Sequence, residues 1–257
     1  MTLKFIQINI YKGKFLGELI DFLKGENPDI ISAQEVTAGS LNYCQDKTAN
    51  LFEGLKNDLG LNGVFHSDIK IVEDENARFG NALFSKYPIL DAKIIVLKDF
   101  RPVSDFEFVN NTKNVWAELP RHMLDTTLDL NGKKIHAISV HGRRIAPPED
   151  DEENLRQAQL MADYLKSLGD EPFILGGDFN MPAGSQTIKK IEGVATNLLE
   201  GENVKQTLNP KVHELGENGF DVDFIFTSKH FKKISVEVPQ VTISDHLPIV
   251  AELEFNK

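Results

Sequence analysis

Residues 3–36 alternate between strand and helix patterns, and this alternation limits the possible folds more than any other feature of the sequence. Residues 3–10 form an apolar run typical of a buried strand, and residues 29–36 form another. Between them, apolar residues recur at helical spacing from Leu16 to Leu23, and Asn27-Pro28 ends that run. A strand, a helix and a second strand in so short a stretch make a crossover unit, which joins parallel strands. The sequence therefore predicts an α/β architecture.

The rest of the chain continues with more strands than helices. Helical spacing predicts further helices at 46–59, 155–168 and 185–191. Apolar runs predict strands within 63–97 and at 115–120, 126–130, 134–141, 173–175, 220–227 and 249–255. Asn131-Gly132 predicts a hairpin turn, and residues 99–114 are predicted to form a long loop that carries Phe100, Phe106 and Phe108. Because the sequence contains no internal repeat and no linker, we predict a single domain over residues 1–257.

Composition and charge argue against several classes of protein. Hydrophobic residues make up 41% of the chain and charged residues 26%, as in ordinary globular proteins. No apolar run approaches the ~18 residues of a membrane span, and the net charge of −11 disfavours a broad grip on duplex nucleic acid. Cys44 is the only cysteine, so an internal disulfide and a thiolate metal cage are excluded. The amino terminus lacks the basic region of a secretory signal, and together these features predict a cytoplasmic protein without stable membrane association.

The stretch from Phe173 to Asn180, with the sequence FILGGDFN, predicts a ligand site at the end of a buried strand. Gly176 and Gly177 are predicted to bend the backbone sharply or to approach another group closely. Asp178 and Asn180 follow two residues apart, at the strand end where open α/β sheets bind ligands. The alternative is that both side chains only satisfy amide groups of the loop.

A set of carboxylates, amides and histidines lies at or beside the ends of predicted strands. Its members are Asn9, Glu35, His141, Asp178, Asn180, Asp223, Asp245 and His246. Oxygen ligands of this kind suit Mg²⁺ or Mn²⁺, and histidines suit proton transfer near neutral pH. Asp223 alternates with apolar neighbours inside its strand, so its carboxylate requires a buried partner. Arg143 and Arg144 follow His141 directly and suit phosphate oxygens, although they alternatively balance the acidic run at 149–153 in a solvated loop.

These motifs, in their order along the chain, resemble those of the endonuclease/exonuclease/phosphatase superfamily, the metal-dependent phosphoesterases related to pancreatic deoxyribonuclease. The matching pieces are QINI (7–10), QEV (34–36), GNALFSKYPI (80–89), SVH (139–141), GGDFN (176–180), VDFI (222–225) and SDHLP (244–248). They span nearly the whole chain, from Asn9 to Pro248. The resemblance implies a four-layered α/β sandwich, in which two mixed β-sheets pack face to face with helices outside.

The resemblance also implies roles for the matched acidic and amide residues. Glu35 is expected to be the principal ligand of Mg²⁺ or Mn²⁺, with Asn9 and Asp245 beside it. Asp178 is expected to position or deprotonate the attacking water. Asn180 is expected to hold that water or a phosphate oxygen.

Two histidines are expected to complete the site. His246, oriented by Asp223, would act as general base or as hydrogen-bond donor in the transition state. His141 is expected to contact the scissile phosphate or to protonate the leaving oxygen. Histidine at this position resembles the deoxyribonuclease and sphingomyelinase branches, whereas the exonuclease III-like repair enzymes carry tyrosine. Asp74 or Glu75 is expected to orient His141, as a glutamate does in deoxyribonuclease-like members.

Substrate contacts are expected from Asn81, Arg121 and Arg143. The predicted function is a Mg²⁺-dependent phosphoester hydrolase, foremost a nuclease-type phosphodiesterase, that acts as a monomer by the habit of the family. The alternative is a small-molecule or lipid phosphoesterase, since the family cleaves DNA, RNA ends, sphingomyelin and inositol phosphates. A catalytically silent binding module on the same fold predicts the loss of at least one expected catalytic residue, and none is lost.

Overall fold

Two mixed six-stranded sheets pack face to face in the computed structural model, which describes residues 1–38, 50–72, 77–99, 101–111 and 115–256. The strands are β1 (Thr2–Asn9), β2 (Ile30–Ala38), β3 (Asn62–Lys70), β4 (Arg78–Ser85), β5 (Ile89–Lys98), β6 (Arg121–Asp129), β7 (Lys134–His141), β8 (Phe173–Asp178), β9 (Thr196–Asn197), β10 (Asp223–Thr227), β11 (Phe231–Glu237) and β12 (Ile249–Phe255). The helices are α1 (Leu16–Glu26), α2 (Leu51–Leu59), α3 (Asp105–Asn110), α4 (Val115–Glu118), α5 (Glu152–Ser167) and α6 (Gln186–Glu192). The first sheet has the strand order β11-β12-β1-β2-β4-β3, and the second has the order β5-β6-β7-β8-β10-β9.

Alternation along β1 shows how the layers form. Leu3 and Phe5 are fully buried in the cluster that joins the two sheets. Ile6 and Ile8 point to the opposite face, where they pack with α1 and α2. On the far side of the second sheet, α5 and α6 bury apolar residues such as Leu165 in the central cluster. Helices therefore cover both outer faces, and the expected four-layered sandwich is confirmed.

A parallel pair of strands lies at the centre of each sheet. β1 pairs with β2 and β7 with β8 in parallel, whereas the other strand pairs are antiparallel. Because parallel strands end on the same side, the carboxyl ends of these four strands meet at one edge of the sandwich. In the two registers, Asn9 lies opposite Gln34 and His141 lies opposite Asp178. This pairing brings four of the predicted motifs to the same edge.

The space between the sheets becomes polar close to that edge. Ser32 on β2 donates from Oγ to the carbonyl oxygen of Gly176 on β8, at 3.0 Å. Gln34 on β2 donates from Nε2 to Ser139 Oγ on β7, also at 3.0 Å. All four residues are buried, and we call them the interlayer seam. Each bond of this seam joins one sheet to the other, so hydrogen bonds as well as apolar packing hold the layers together.

Gly176 and Gly177 continue β8 as a regular strand, so the expectation of a sharp bend at this pair is wrong. A Cβ atom on Gly176 would lie 2.8 Å from Cε1 of Phe5 in the opposite sheet. A Cβ atom on Gly177 would lie 2.3 Å from Cγ1 of Val140 in the neighbouring strand. Both distances are far too short for carbon atoms, so the glycines allow close approach, which was the other predicted role.

Residues 115–120 contain the short helix α4, so the strand predicted there is wrong. Val115 and Leu119 are four residues apart and pack in the same cluster as Phe79 and Phe108. Alternating burial of Val115, Ala117 and Leu119 imitates a strand in the sequence. Burial against the aromatic cluster therefore outweighs the alternating pattern that favoured a strand.

Other segments also differ from their predictions, among them β6, which begins at Arg121 rather than at Thr126. Helix α3 occupies part of the predicted loop at 99–114, because Ser104 and Glu107 form a capping box that stabilises its first turn. Edge strand β11 was not predicted, because charged residues interrupt its apolar pattern. The helix predicted at 46–59 begins at Leu51, and residues 46–49, Phe100 and residues 112–114 lie outside the described residues. Over the described ranges, no helix combines the length and the apolar character needed to cross a membrane.

Candidate active site

One rung of the second sheet carries three of the expected catalytic residues. In the strand register, Asp178 lies opposite His141 on one side and opposite Asp223 on the other. All three side chains are buried, and His141 Nε2 lies 3.5 Å from Asp178 Oδ2. Asn180 follows β8 in a left-handed conformation, with φ of 54°, and donates its backbone N–H to Asp178 Oδ1 at 2.9 Å. The pairing of β7, β8 and β10 thus assembles this part of the site.

His246 reaches the same rung from the loop that precedes β12. Its Nδ1 lies 2.8 Å from Asp223 Oδ2, and its Nε2 lies 3.7 Å from Asp178 Oδ2. Ser244 fixes the loop, because its Oγ accepts the His246 N–H and donates to the carbonyl oxygen of Asn9. Burial alone would lower the pKa of His246, but Asp223 and Asp178 outweigh burial and raise the pKa to about 10. Of the two expected roles, this charge state favours a hydrogen-bond donor over a general base.

Asp178 lies at the centre of the array, beside His141, Asp223 and His246. Burial raises its pKa to about 7, and the charge of Asp223 adds to this effect whereas that of His246 opposes it. Asn9 Nδ2 also donates to Asp178 Oδ2 at 3.0 Å, across the two sheets. A carboxylate with a pKa near the working pH is suited to accept a proton and release it again.

His141 is neutral at physiological pH. Burial, with the charge of Arg121 next in size, lowers its pKa well below the usual range. Its Nδ1 is buried and has no hydrogen-bond partner among the described residues. Asp74 and Glu75, the expected partners, lie outside the described residues, so that pairing stays a prediction.

Glu35 enters the site through an irregularity in β2. The β2–β4 register shifts between Ala33 and Val36, and Glu35 has a left-handed φ of 56°. Because Gln34 faces the second sheet, strict alternation would turn the next side chain away, and the bulge instead redirects Glu35. Its Oε2 lies 2.7 Å from the ammonium nitrogen of Lys12. Burial would raise the pKa of Glu35, but Lys12 outweighs burial and lowers the pKa to about 2, so the carboxylate is ionised.

The oxygen ligands expected for a metal ion fit a hard divalent cation. Burial raises the pKa of Asp245, and the charge of Glu35 adds to the effect, as expected of two neighbouring carboxylates. Asn9 Oδ1 accepts the backbone N–H of Tyr11 at 3.1 Å and has a second lone pair for coordination. Two carboxylates and an amide oxygen form the kind of donor set that Mg²⁺ and Mn²⁺ prefer.

Two clusters that contain His246 also have the spacing of metal sites, with ligand atoms within 4.8 Å of one another. They are His213 with Asp245 and His246, and Asp178 with Asp223 and His246. Asp223 holds Nδ1 of His246 at 2.8 Å, so Nε2 is the ring nitrogen left for another partner. His213 Nδ1 accepts the backbone N–H of Leu215 at 3.0 Å, so the neutral ring carries its proton on Nε2. With these contacts, both rings are placed to donate a hydrogen bond from Nε2.

His213 is a site residue that the sequence did not indicate. Its ring lies at right angles to that of His246, with ring centroids 5.5 Å apart. Burial, together with the charges of His246 and Arg144, lowers its pKa to about 4. A single histidine in the weakly patterned connection at 192–218 carries no motif, so only the folded loop reveals its place.

Two expected substrate residues lie deeper in the structure. Arg121 is only 1% exposed, its Nε has no partner among the described residues, and its guanidinium lies 4.0 Å from Asp68. Asn81 donates from Nδ2 to the carbonyl oxygen of His122 at 3.3 Å, and its Oδ1 has no partner within the described ranges. Their contact with substrate stays a prediction.

Arg143 and Arg144 point to different surroundings. Arg143 donates from Nε to the carbonyl oxygen of Ala117 at 2.9 Å and pairs with Asp151. Arg144 pairs with the exposed Glu214 and lines the cavity at the site, whereas Arg143 does not line it. Substrate contact by Arg143, the residue predicted from sequence, therefore stays a prediction, and Arg144 is the arginine that lines the cavity.

The site opens into a cavity of about 480 Å³. Its wall contains two aromatic rings and several side chains that can donate hydrogen bonds, among them Lys12, Arg144 and His213. The lining residues are Tyr11, Lys12, Asn111, Trp116, Arg144, Ile145, Ala146, Val212, His213, Glu214 and Asp245. A larger depression of about 620 Å³ lies between residues 202–206 and the end of β11. None of the expected site residues lines that depression, so the smaller cavity is the candidate substrate entrance.

A sandwich whose sheet edge joins acidic side chains to an Asp–His–Asp array has the arrangement that suits metal-assisted hydrolysis. The model of the Endonuclease/Exonuclease/phosphatase family matches residues 6–246. The chain belongs to this family, and its fold is that of a phosphoester hydrolase. No curated protein sequence matches the chain.

Solved structures support the fold at low sequence identity. An endonuclease/exonuclease/phosphatase from Bacteroides vulgatus is 20% identical, with a TM-score of 0.75 and complete coverage of both chains. A mannosyl-6-phosphatase from Bacteroides thetaiotaomicron is 20% identical with a TM-score of 0.74, over 98% of this chain and 100% of that one. TDP2 from D. rerio, complexed with single-strand DNA product, is 15% identical with a TM-score of 0.69, over 98% and 99% of the two chains.

Proposed function

We propose that the protein is a divalent-metal-dependent phosphodiesterase of the nuclease type, with Mg²⁺ as the preferred ion and Mn²⁺ as a substitute. The observation that carries this proposal is the convergence of Asp178, Asp223 and His246 with the Glu35 and Asp245 carboxylates at one edge of the sandwich. The ion, held by these two carboxylates and Asn9, would withdraw charge from the phosphoryl group and stabilise the leaving oxygen.

The protein's own groups activate the water and bind the phosphoryl oxygens. Asp178 accepts the proton of the attacking water, since its pKa of about 7 allows both proton states near neutral pH. Asn180 holds the water in line. The His246 imidazolium, fixed by Asp223, donates to an oxygen whose negative charge grows in the transition state. Neutral His141 contacts a second phosphoryl oxygen, because its lowered pKa argues against proton donation to the leaving group.

The candidate entrance also favours a second function, the hydrolysis of a small phosphorylated molecule. A cavity of about 480 Å³ has the size of a small-molecule site. The net charge of −11 weakens binding to duplex DNA, and one structural neighbour is a mannosyl-6-phosphatase. We further propose that the chain is one catalytic domain, monomeric and cytoplasmic, in keeping with its single cysteine.

A hydrolysis panel tests the proposal. The substrates are bis(4-nitrophenyl) phosphate, plasmid DNA, an abasic oligonucleotide, RNA, sphingomyelin, inositol phosphates and mannose 6-phosphate, each with Mg²⁺, Mn²⁺ or chelator. We expect diester hydrolysis that chelator abolishes and that His246→Gln reduces by about 100-fold or more. His136→Gln is the matched control. His136 also pairs with an aspartate, but it lies near the amino end of β7, away from the candidate site at the carboxyl end of that strand. Activity that survives chelation or the loss of His246 would overturn the mechanism.

A further inference from the structure

Lys12 has no role in the mechanism above, yet its ammonium group contacts Glu35, the expected principal metal ligand. Its Nζ is 2.7 Å from Glu35 Oε2, and the two side chains are only 17% and 12% exposed. The same nitrogen lies 4.6 Å from the ring centroid of Tyr11 and 5.6 Å from that of Trp116. Aromatic faces attract cations, so the surroundings of Lys12 hold a positive charge in place.

The backbone on both sides of this ion pair is strained. Tyr11 and Lys12 have φ values of 48° and 55°, and Glu35 has a φ of 56°. Left-handed conformations are costly for residues other than glycine and persist only where the surrounding structure enforces them. The turn after β1 and the bulge in β2 both place a charged group at the same point. The contact is therefore built into the fold rather than formed by a mobile surface lysine.

A divalent cation and this ammonium group compete for one carboxylate. Glu35 is the ligand that the donor set requires, and Asp245, the second carboxylate, also attracts Lys12 electrostatically. A metal ion within coordination distance of Glu35 would lie only a few ångströms from Nζ, where like charges repel strongly in a partly buried site. The two cations cannot both occupy the contact at Oε2.

We propose that Lys12 is an internal competitor of the metal ion at Glu35. In the metal-free protein, its ammonium group holds the carboxylate in place through the 2.7 Å contact, and metal binding displaces it. Lys12 also lines the cavity, so the displaced group can move toward the substrate entrance and meet a phosphoryl oxygen there. This inference rests on the proposed metal-dependent function.

The test is calorimetric titration of the metal-free protein with Mn²⁺ alone. Lys12→Met removes the charge at similar length, and Lys12→Gln is a second variant that keeps a polar contact to Glu35. Lys14→Met is the control, because Lys14 lies in the same turn, with Nζ 4.8 Å from the Tyr11 ring, and has no contact with Glu35 among those described. Glu35→Gln tests the metal site itself.

We expect both Lys12 variants to bind Mn²⁺ at least about tenfold more tightly than the wild type. Their metal-free forms should melt at a lower temperature, and Mn²⁺ should raise that temperature more than in the wild type. The Lys14→Met variant should match the wild type in both measurements. Unchanged or weaker Mn²⁺ binding by the Lys12 variants would overturn the competition while leaving the proposed function intact. We expect Glu35→Gln to weaken Mn²⁺ binding. If Glu35→Gln binds Mn²⁺ as tightly as the wild type, or if neither the wild type nor any variant binds Mn²⁺, the metal site and the competition are overturned together.

Discussion

Replacing Asp223 by Asn should remove the charge that keeps His246 protonated. Asp223 is buried, and its Oδ2 lies 2.8 Å from His246 Nδ1. The pKa of His246 is about 10 against an ordinary value of 6.5, and that difference corresponds to about 5 kcal/mol in favour of the imidazolium. Asp223 is the largest of the causes that raise this pKa. Without its charge, burial is opposed mainly by Asp178 and Asp245, and the pKa should fall toward its ordinary value.

The pH dependence of turnover should change in a defined direction. The proposed mechanism requires ionised Asp178 and protonated His246, so the wild-type rate should rise near pH 7 and decline only near pH 10. In Asp223→Asn, the declining limb should move to a much lower pH, because His246 then loses its proton near neutrality. At about pH 8, a His246 pKa near the ordinary value of about 6.5 would leave only about one ring in thirty protonated, so the variant should lose roughly 30-fold or more in kcat.

The assay is a pH profile of kcat with bis(4-nitrophenyl) phosphate at fixed Mg²⁺, combined with NMR titration of the His246 ring. Asp125→Asn is the control, because Asp125 Oδ2 lies 2.7 Å from His136 Nδ1 and that histidine also contacts Glu171. This variant should lower stability without shifting the rate profile. The reasoning is refuted if the His246 titration stays near pH 10 in Asp223→Asn, or if kcat remains within about threefold of the wild type.

Three further substitutions test separate parts of the structure. His213→Ala should raise KM about tenfold without changing Mn²⁺ affinity in calorimetry, because the ring donates from Nε2; a loss of metal affinity would contradict this. His136→Gln should destabilise the protein more at pH ~5.5 than at pH ~9 in urea unfolding. The partner carboxylates outweigh burial and raise the pKa of His136 in the folded protein. The stabilisation from this histidine is therefore complete below the unfolded-state pKa of about 6.5 and disappears above the folded-state pKa. Equal losses of stability at both pH values would contradict this prediction. Gly177→Ala should cost about 3 kcal/mol in urea unfolding because of its clash with Val140, whereas Gly54→Ala, with no atom within 4 Å, should not destabilise the protein, and equal effects would disprove the clash.

The predictable part of the molecule is local in sequence. Apolar runs locate β1, β7 and β12 to within a residue or two, because burial on known faces sets their pattern. Predicted polar residues lie at the carboxyl ends of β1, β7 and β8, and parallel pairing then brings Asn9, His141 and Asp178 to one edge. Short motifs could therefore indicate the catalytic array before any distance was known.

The remaining features depend on contacts between distant segments. Arg143 and Arg144 are adjacent in sequence, and only the packing of their loop against Ala117 decides which one faces the cavity. Lys12 and His213 lie in turns without a motif, so their positions follow from the turn after β1 and from the loop before β10. Local patterns cannot reveal partners that the fold supplies from more than twenty residues away.

The interlayer seam has a consequence for how the two halves of the site stay aligned. Glu35 belongs to one sheet and Asp178 to the other, and apolar contact between sheets has no preferred direction. The hydrogen bonds of Ser32 and Gln34 are directional, so they fix the position of one sheet relative to the other. We expect apolar replacements of Ser32 and Gln34 to leave the melting temperature unchanged or to raise it. The same replacements should let Glu35 and Asp178 move apart, because the sheets lose their fixed relative position. In this architecture, thermal stability and catalytic competence are therefore separable properties.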